Sequence, residues 1–161
     1  MQSFIGLDKG FHVSSPFSEY DSAHYDEFRN YHYGLDLGKG GIAGDSVYAG
    51  ISGIVDDKGW NTGVNGNDLR IEYAFKYEGN TIGTGIYGEY MHMLTKSPLI
   101  KGSYVSGNML AGQVGSTGSA SSAAHFALRY IYDWRRLLKK CSLAYSREEL
   151  LFWLEFASFE K

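Results

Sequence analysis

Residues 69–77, LRIEYAFKY, alternate apolar and polar side chains, and Glu78-Gly79-Asn80 follows them. A period of two sends successive side chains to opposite faces, so this segment reads as a half-buried β-strand. The Glu-Gly-Asn cluster is turn chemistry that folds the chain back into a partner strand. Residues 86–94 (IYGEYMHML) read as a further strand. Working outward, short strands are expected at 11–13, ended by Ser14-Ser15-Pro16, and within 47–55, interrupted by Gly50 and Gly53. Others are expected at 104–105 and 109–114, on either side of Ser106-Gly107-Asn108, and at 124–132. Residues 18–30 are polar and aperiodic, a loop, and 61–68 (NTGVNGND) form a turn cluster. Gly83-Thr84-Gly85-Ile86-Tyr87-Gly88 matches GxGxxG in form, but a strand rather than a helix follows it, so it is assigned to a turn and not to dinucleotide binding. The expectation for residues 1–132 is a single, mainly β domain.

The tail is different. Residues 133–140 are charged and read as helical. Ser146 with Glu149 three positions on is a capping box, which starts a helix through Leu150, Leu151, Trp153, Leu154 and Phe156. This extension, 133–161, is expected to pack on the β domain; contact with a second copy or a protein partner is the alternative.

Composition sets further bounds. The 161 residues carry 15 Lys+Arg against 18 Asp+Glu, a net charge of -3, with 43% hydrophobic residues. That suits one folded domain and supplies no global basic field for nucleic acid. Gly at 21 and Tyr at 13, against only 2 Pro, favour short strands and turns. The single cysteine, Cys141, excludes an internal disulfide and a Cys-built zinc site. No stretch approaches the roughly 18 apolar residues of a membrane span, and the first ten residues do not read as a signal peptide.

The five histidines are His12, His24, His32, His92 and His125. His32-Tyr33-Gly34-Leu35-Asp36 sets an imidazole and a carboxylate four residues apart, on one side of an extended segment. That pair suits zinc, which in hydrolytic sites takes three protein ligands plus water; a solvated histidine beside an aspartate is the plainer reading. His12 and His24 are expected to be structural or exposed, with His24 near Tyr20 and Tyr25. Residues 115–122 (GSTGSASS) form either a loop or a nest of amides for an anion.

Residues 31–38 (YHYGLDLG), followed by Gly44-Asp45-Ser46-Val47-Tyr48-Ala49 and Gly53-Ile54-Val55, resemble the lysostaphin-type zinc endopeptidases of bacterial cell walls. Tyr90-Met91-His92 resembles that family's Y-x-H. Lys101-Gly102, Val105-Ser106-Gly107-Asn108 and Leu110-Ala111-Gly112 resemble its next block, Gly115-Ser116-Thr117-Gly118 its G-x-T-G, and His125-Phe126-Ala127-Leu128-Arg129 the end of its H-x-H-F-E-L-R. The blocks fall in family order over about residues 11–131. The resemblance implies an antiparallel β core with a groove, zinc on His32, Asp36 and His125, and His92 as a catalytic imidazole. In this register the first histidine of H-x-H falls on Ala123. In the alternative register His125 is that first histidine and Ala127 stands at the ligand position.

The implied activity is zinc-dependent hydrolysis of peptide bonds in peptidoglycan stems or cross-bridges, outside the cytoplasm at a cell wall, in a periplasm or on a phage particle. The missing histidine implies weakened or absent catalysis. It supports, as an alternative, a non-catalytic relative that binds wall peptide or a protein partner. Without the family, the residues support a β-rich binding domain with aromatic stacking surfaces.

Overall fold

The computed structural model describes residues 10–20, 31–32, 34–38, 40–56, 63–119 and 125–132. The expected strand at 69–77 runs as β5 (Asn67–Tyr77), turns at Glu78-Gly79, and returns as β6 (Asn80–Met93). The other strands are β1 (His12–Ser15), β2 (Leu35–Gly38), β3 (Ser46–Tyr48), β4 (Gly53–Val55), β7 (Tyr104–Val105), β8 (Leu110–Gln113) and β9 (Phe126–Tyr132). Seven of them form one sheet in the order β1-β2-β9-β6-β5-β4-β7, and β3 and β8 form a two-stranded sheet. Every strand pair is antiparallel. The fold is thus mainly β, as the alternation along β5 implies.

Alternation also decides what is buried. Leu69 and Ile71 point from β5 into a core completed by Leu37, Val55, Tyr90, Met93 and Val105 of the large sheet and by Val47 and Ala111 of the small one. The small sheet therefore closes one face of the large sheet. Full burial of side chains the size of Leu69 and Ile71 contributes roughly 1.5–3 kcal/mol each. The Tyr90 hydroxyl lies among apolar groups, and it accepts a hydrogen bond from the Gly50 amide at 3.0 Å.

The opposite face of the large sheet is polar. Ladder partners share a face, so Arg70 lies with Glu89, Glu72 with Tyr87, Met91 with Ala127, and Ala127 with Asp36. Arg70 gives Nε and Nη2 to Asp56 Oδ2 at 2.9 and 2.6 Å and lies over the Tyr87 ring. Glu72 Oε1 accepts the Gly85 amide at 2.9 Å.

One expectation is corrected here. The stretch from Gly83 to Gly88 is no turn; it lies inside β6. Its glycines make room for strand packing. A Cβ at Gly83 would stand 2.5 Å from Glu72 Oε1, and Gly85 takes a φ of 80° where the β5–β6 register shifts between Glu72 and Ala74. A bulge with glycine in the left-handed region accounts for the pattern. Gly53, read as an interruption, opens β4 for a similar reason. The helical extension expected at 133–161, the last ten residues of the expected 18–30 loop, and Ala123 lie outside the described residues.

A Cβ at Gly53 would fall 2.1 Å from the Glu72 carbonyl oxygen, a backbone atom that cannot swing away. Gly53→Ala is expected to cost about 1–3 kcal/mol through overpacking. The measurement is the urea midpoint, which falls while the slope of the transition stays constant.

Candidate functional site

Strand order brings three distant stretches of chain together. β9 lies between β2 and β6, so Asp36, His125 and His92 become neighbours although 89 positions separate the first two in sequence (125 minus 36). Asp36 sits in β2 opposite Ala127, and Leu37 and Leu35 on either side of it face the core. His32 lies four residues upstream. Its Nε2 is 3.4 Å from Asp36 Oδ1, and His125 Nε2 is 3.7 Å from Asp36 Oδ2. One carboxylate thus serves two imidazoles. His92 completes the group, its ring centroid 4.8 Å from that of His125. The four side chains named from sequence and resemblance converge at one end of the polar face. His12, by contrast, is exposed on β1, and His24 lies outside the described residues.

His92 reaches this place through an irregularity. Between Leu69 and Asn67 the partner strand advances from Tyr90 to Met93, so β6 carries an extra residue. His92 takes a φ of 59°, the left-handed region that non-glycine residues seldom occupy. The phase of β6 shifts there: Tyr90 and Met93 both enter the core, and His92 is re-aimed. Its amide donates to Asn65 O at 2.9 Å, and its Nδ1 donates to Thr117 O at 2.8 Å. The Thr117 hydroxyl donates to Met93 O and accepts the Asn67 amide, both at 2.8 Å, which locks the 115–118 loop against β5 and β6. The amides of Thr117 and Ser119 bond to His92 O and Gly63 O. These bonds tie residues 115–119 into the structure as a loop; residues 120–122 of the same stretch lie outside the described residues. His92 is buried, 6% exposed.

His32 is held by the turn after β1. Its Nδ1 lies 3.0 Å from Ser15 Oγ and 3.2 Å from Pro16 O. Ser15 and Pro16 were legible only as a strand end and Glu19 only as loop, so sequence reasoning missed this support. Thr117 was visible in the G-x-T-G block but carried no role.

The donor types, two imidazoles and a carboxylate, are ones that suit a divalent cation. With zinc–nitrogen and zinc–oxygen distances of about 2.0–2.2 Å, two ligands of a tetrahedral site stand roughly 3.4 Å apart. The separations of Asp36 from His32 and His125 lie close to that. Asp36 Oδ1 is buried and makes no regular hydrogen bond; the His32 imidazole, 3.4 Å away and with its pKa raised by this carboxylate, is the group that meets it. Among the described residues, however, no group of three or more His, Cys, Asp or Glu is placed so that it could hold a metal ion as it stands; the convergence consists of two pairs sharing Asp36.

Sequence comparison finds no matching family model and no matching curated protein. Structure comparison is informative. The catalytic domain of the antimicrobial peptidase lysostaphin from Staphylococcus simulans matches with a TM-score of 0.59 and 25% identity, covering 76% of this chain and 80% of that one. The fold is lysostaphin-like. A zinc-containing peptidase from Vibrio cholerae matches at TM-score 0.60 and 21% identity, over 78% of this chain but 35% of its own. The catalytic domain of EnpA, a prophage-encoded M23 protein of Enterococcus faecalis solved as an alanine-to-histidine mutant, matches at TM-score 0.60 and 18% identity, over 78% and 84%. The lysostaphin-like architecture is shared well beyond sequence similarity, and the first two of these neighbours are peptidases by name.

Two imidazoles titrate in opposite directions. Burial lowers the His92 pKa below 6.5, opposed by the Thr117 carbonyl and assisted by His125. Burial also pushes His32 down, but contact with Asp36 and its charge outweigh this, with help from Pro16 and Glu19, and the pKa rises above 6.5. The raised His32 pKa gives stability that is fully present below 6.5 and lost as pH rises through its folded value. The lowered His92 pKa gives stability present above 6.5 and lost as pH falls through its folded value. The metal-free chain is therefore expected to gain stability from these two groups most near pH 6.5. Histidine NMR titration with urea unfolding across pH 5–9 checks this, and His32→Ala is expected to abolish the loss on the alkaline side.

Proposed function

We propose that this chain is a zinc-dependent endopeptidase that cleaves peptide bonds in the stems or cross-bridges of bacterial peptidoglycan. The observation that carries this reading is the Asp36 carboxylate between His32 and His125, with His92 packed on His125, in a lysostaphin-like fold. His32, Asp36 and His125 would hold the zinc. Once bound, the metal supplies Lewis-acid polarisation of the scissile carbonyl and lowers the pKa of a water to about 7.

The residues around it divide the remaining work. The carbonyl of Thr117 accepts a hydrogen bond from His92 Nδ1–H, leaving Nε2 as the basic atom. The lowered pKa keeps that nitrogen neutral at physiological pH, so His92 is suited to accept a proton from the attacking water and pass it on to the leaving amine. Of the two registers, the one with His125 as ligand is favoured, since His125 is the imidazole that reaches Asp36. Ala127, directly across from Asp36, offers only a buried methyl group. Ala123 then stands where a second catalytic histidine belongs. The loss of one acid–base group lowers rates by typically 10²–10⁴-fold, so slow turnover is part of the proposal. The substrate places the protein outside the cytoplasm, at a wall, in a periplasm or on a phage particle, with wall peptide as its partner.

The alanine also favours a second reading, a non-catalytic relative that binds wall peptide or a partner protein through the same face. The two readings part on experiment. Purified chain should carry about one zinc per molecule by mass spectrometry and release new amino groups from purified walls. Asp36→Ala and His125→Ala are expected to lose both metal and cleavage. His92→Ala should keep the metal and lose about 10²-fold or more in rate. Ala123→His is expected to raise cleavage. A chain that takes up no zinc and opens no wall type would overturn the proposal, and cleavage appearing only in Ala123→His would favour the binding reading.

A further inference from the structure

The turn that follows β1 grips His32 at both its main chain and its ring. The His32 amide donates to Glu19 O at 2.8 Å, and the Ser18 amide donates to His32 O at 2.7 Å. The turn closes on itself through the Glu19 amide and Pro16 O at 3.2 Å, with Ser18 at a φ of 66°. A serine in the left-handed region is unfavourable by itself, so these bonds fix a shape the chain would not otherwise keep.

Proton positions at the ring follow from donor and acceptor chemistry. Pro16 O can only accept, so its 3.2 Å contact with His32 Nδ1 requires a hydrogen on that nitrogen. The Ser15 hydroxyl donates its single hydrogen to Glu19 Oε2. Its lone pairs therefore face Nδ1, 3.0 Å away. The reverse assignment would set the imidazole lone pair against the Pro16 carbonyl and the Glu19 carboxylate against the hydroxyl lone pairs. Both contacts would be repulsive. At the other nitrogen Asp36 Oδ1, 3.4 Å from Nε2, favours a proton there and so opposes this assignment. That oxygen makes no regular hydrogen bond, whereas Nδ1 has two oxygens at 3.0 and 3.2 Å, so the neutral ring keeps its proton on Nδ1 and its lone pair on Nε2.

We propose that Ser15 and Glu19 are positioning residues that hold His32 in its Nδ1–H tautomer with Nε2 presented to Asp36, as a hydroxyl–carboxylate relay behind a metal-ligating histidine. The relay rests on the zinc reading for its purpose but not for its geometry. Support of this kind fixes ring orientation and raises ligand basicity, and its loss costs typically 10–100-fold in metal affinity. Glu19 acts through Ser15, and Ser15 acts through His32; neither is expected to touch substrate.

The test uses the full chain with 15N-labelled histidine, free of metal and at alkaline pH so that the rings are neutral. Long-range proton–nitrogen correlation spectra report which His32 nitrogen carries the proton, and zinc alone is then titrated against a chromophoric chelator. The expected wild-type result is a proton on Nδ1. Ser15→Ala and Glu19→Ala are each expected to raise the Nε2–H fraction and weaken zinc binding 10–100-fold, and Ser15→Thr, which keeps the hydroxyl, to restore both. A wild-type proton on Nε2, or variants whose tautomer equals that of wild type, would overturn the assignment. Should zinc fail to bind the wild type while the tautomer follows the variants as described, the relay stands and the metalloenzyme reading falls. Circular dichroism checks folding of Ser15→Ala, and Glu19, which is exposed, carries the test if that variant unfolds.

Discussion

A single carboxylate answering two imidazoles is the constraint around which this molecule is arranged. Asp36 can play that part because β2 sends its neighbours Leu35 and Leu37 into the core and leaves the side chain between them on the other face. The core thus holds the carboxylate in place. His32 arrives along the same chain, His125 from the adjacent β9, and His92 from the strand beyond it. Each depends on a different local device: a turn for His32, the bridge from the His125 amide to Gly115 O for His125, and a bulge for His92. Without the strand order β2-β9-β6 those devices would have nothing in common.

The devices also show where local stability has been given up. A left-handed histidine and a buried carboxylate oxygen without a hydrogen-bond partner are unfavourable by themselves. They occur side by side, next to the group proposed to do chemistry, while the opposite face of the sheet is a regular apolar core. Segregating strain to one face lets the core stay well packed. It also means that the site is held by hydrogen bonds from loops, Thr117 on one side and the Ser15–Glu19 turn on the other.

Much of the fold was legible because strand periodicity is a local property. The alternation at 69–77 and the turn behind it describe β5 and the start of β6 almost residue for residue. The spacing of His32 and Asp36 was legible for the same reason. What could not be read was whatever depends on contact between distant segments. Gly83 to Gly88 looked like a turn because the reason for its glycines, the Glu72 side chain, lies on another strand. The aim of His92 could not be read because its phase shift is visible only against β5. Ser15 and Glu19 had no signature, since their meaning comes from an imidazole 17 residues from Ser15. Resemblance supplied the grouping of His92 and His125 with Asp36, which spacing alone leaves open. It did not extend to the atoms behind His32.

The large sheet ends in two modest borders. On one side β7 is two residues long; on the other, β1 has four residues and loses register between Val13 and Ser15. Borders this short and uneven give an extended foreign chain little main chain to zip onto. Polymerisation through strand addition is thereby discouraged, a useful property for a glycine- and tyrosine-rich β protein. Among the described residues, the large sheet therefore offers an extended chain its side-chain face more readily than its rim.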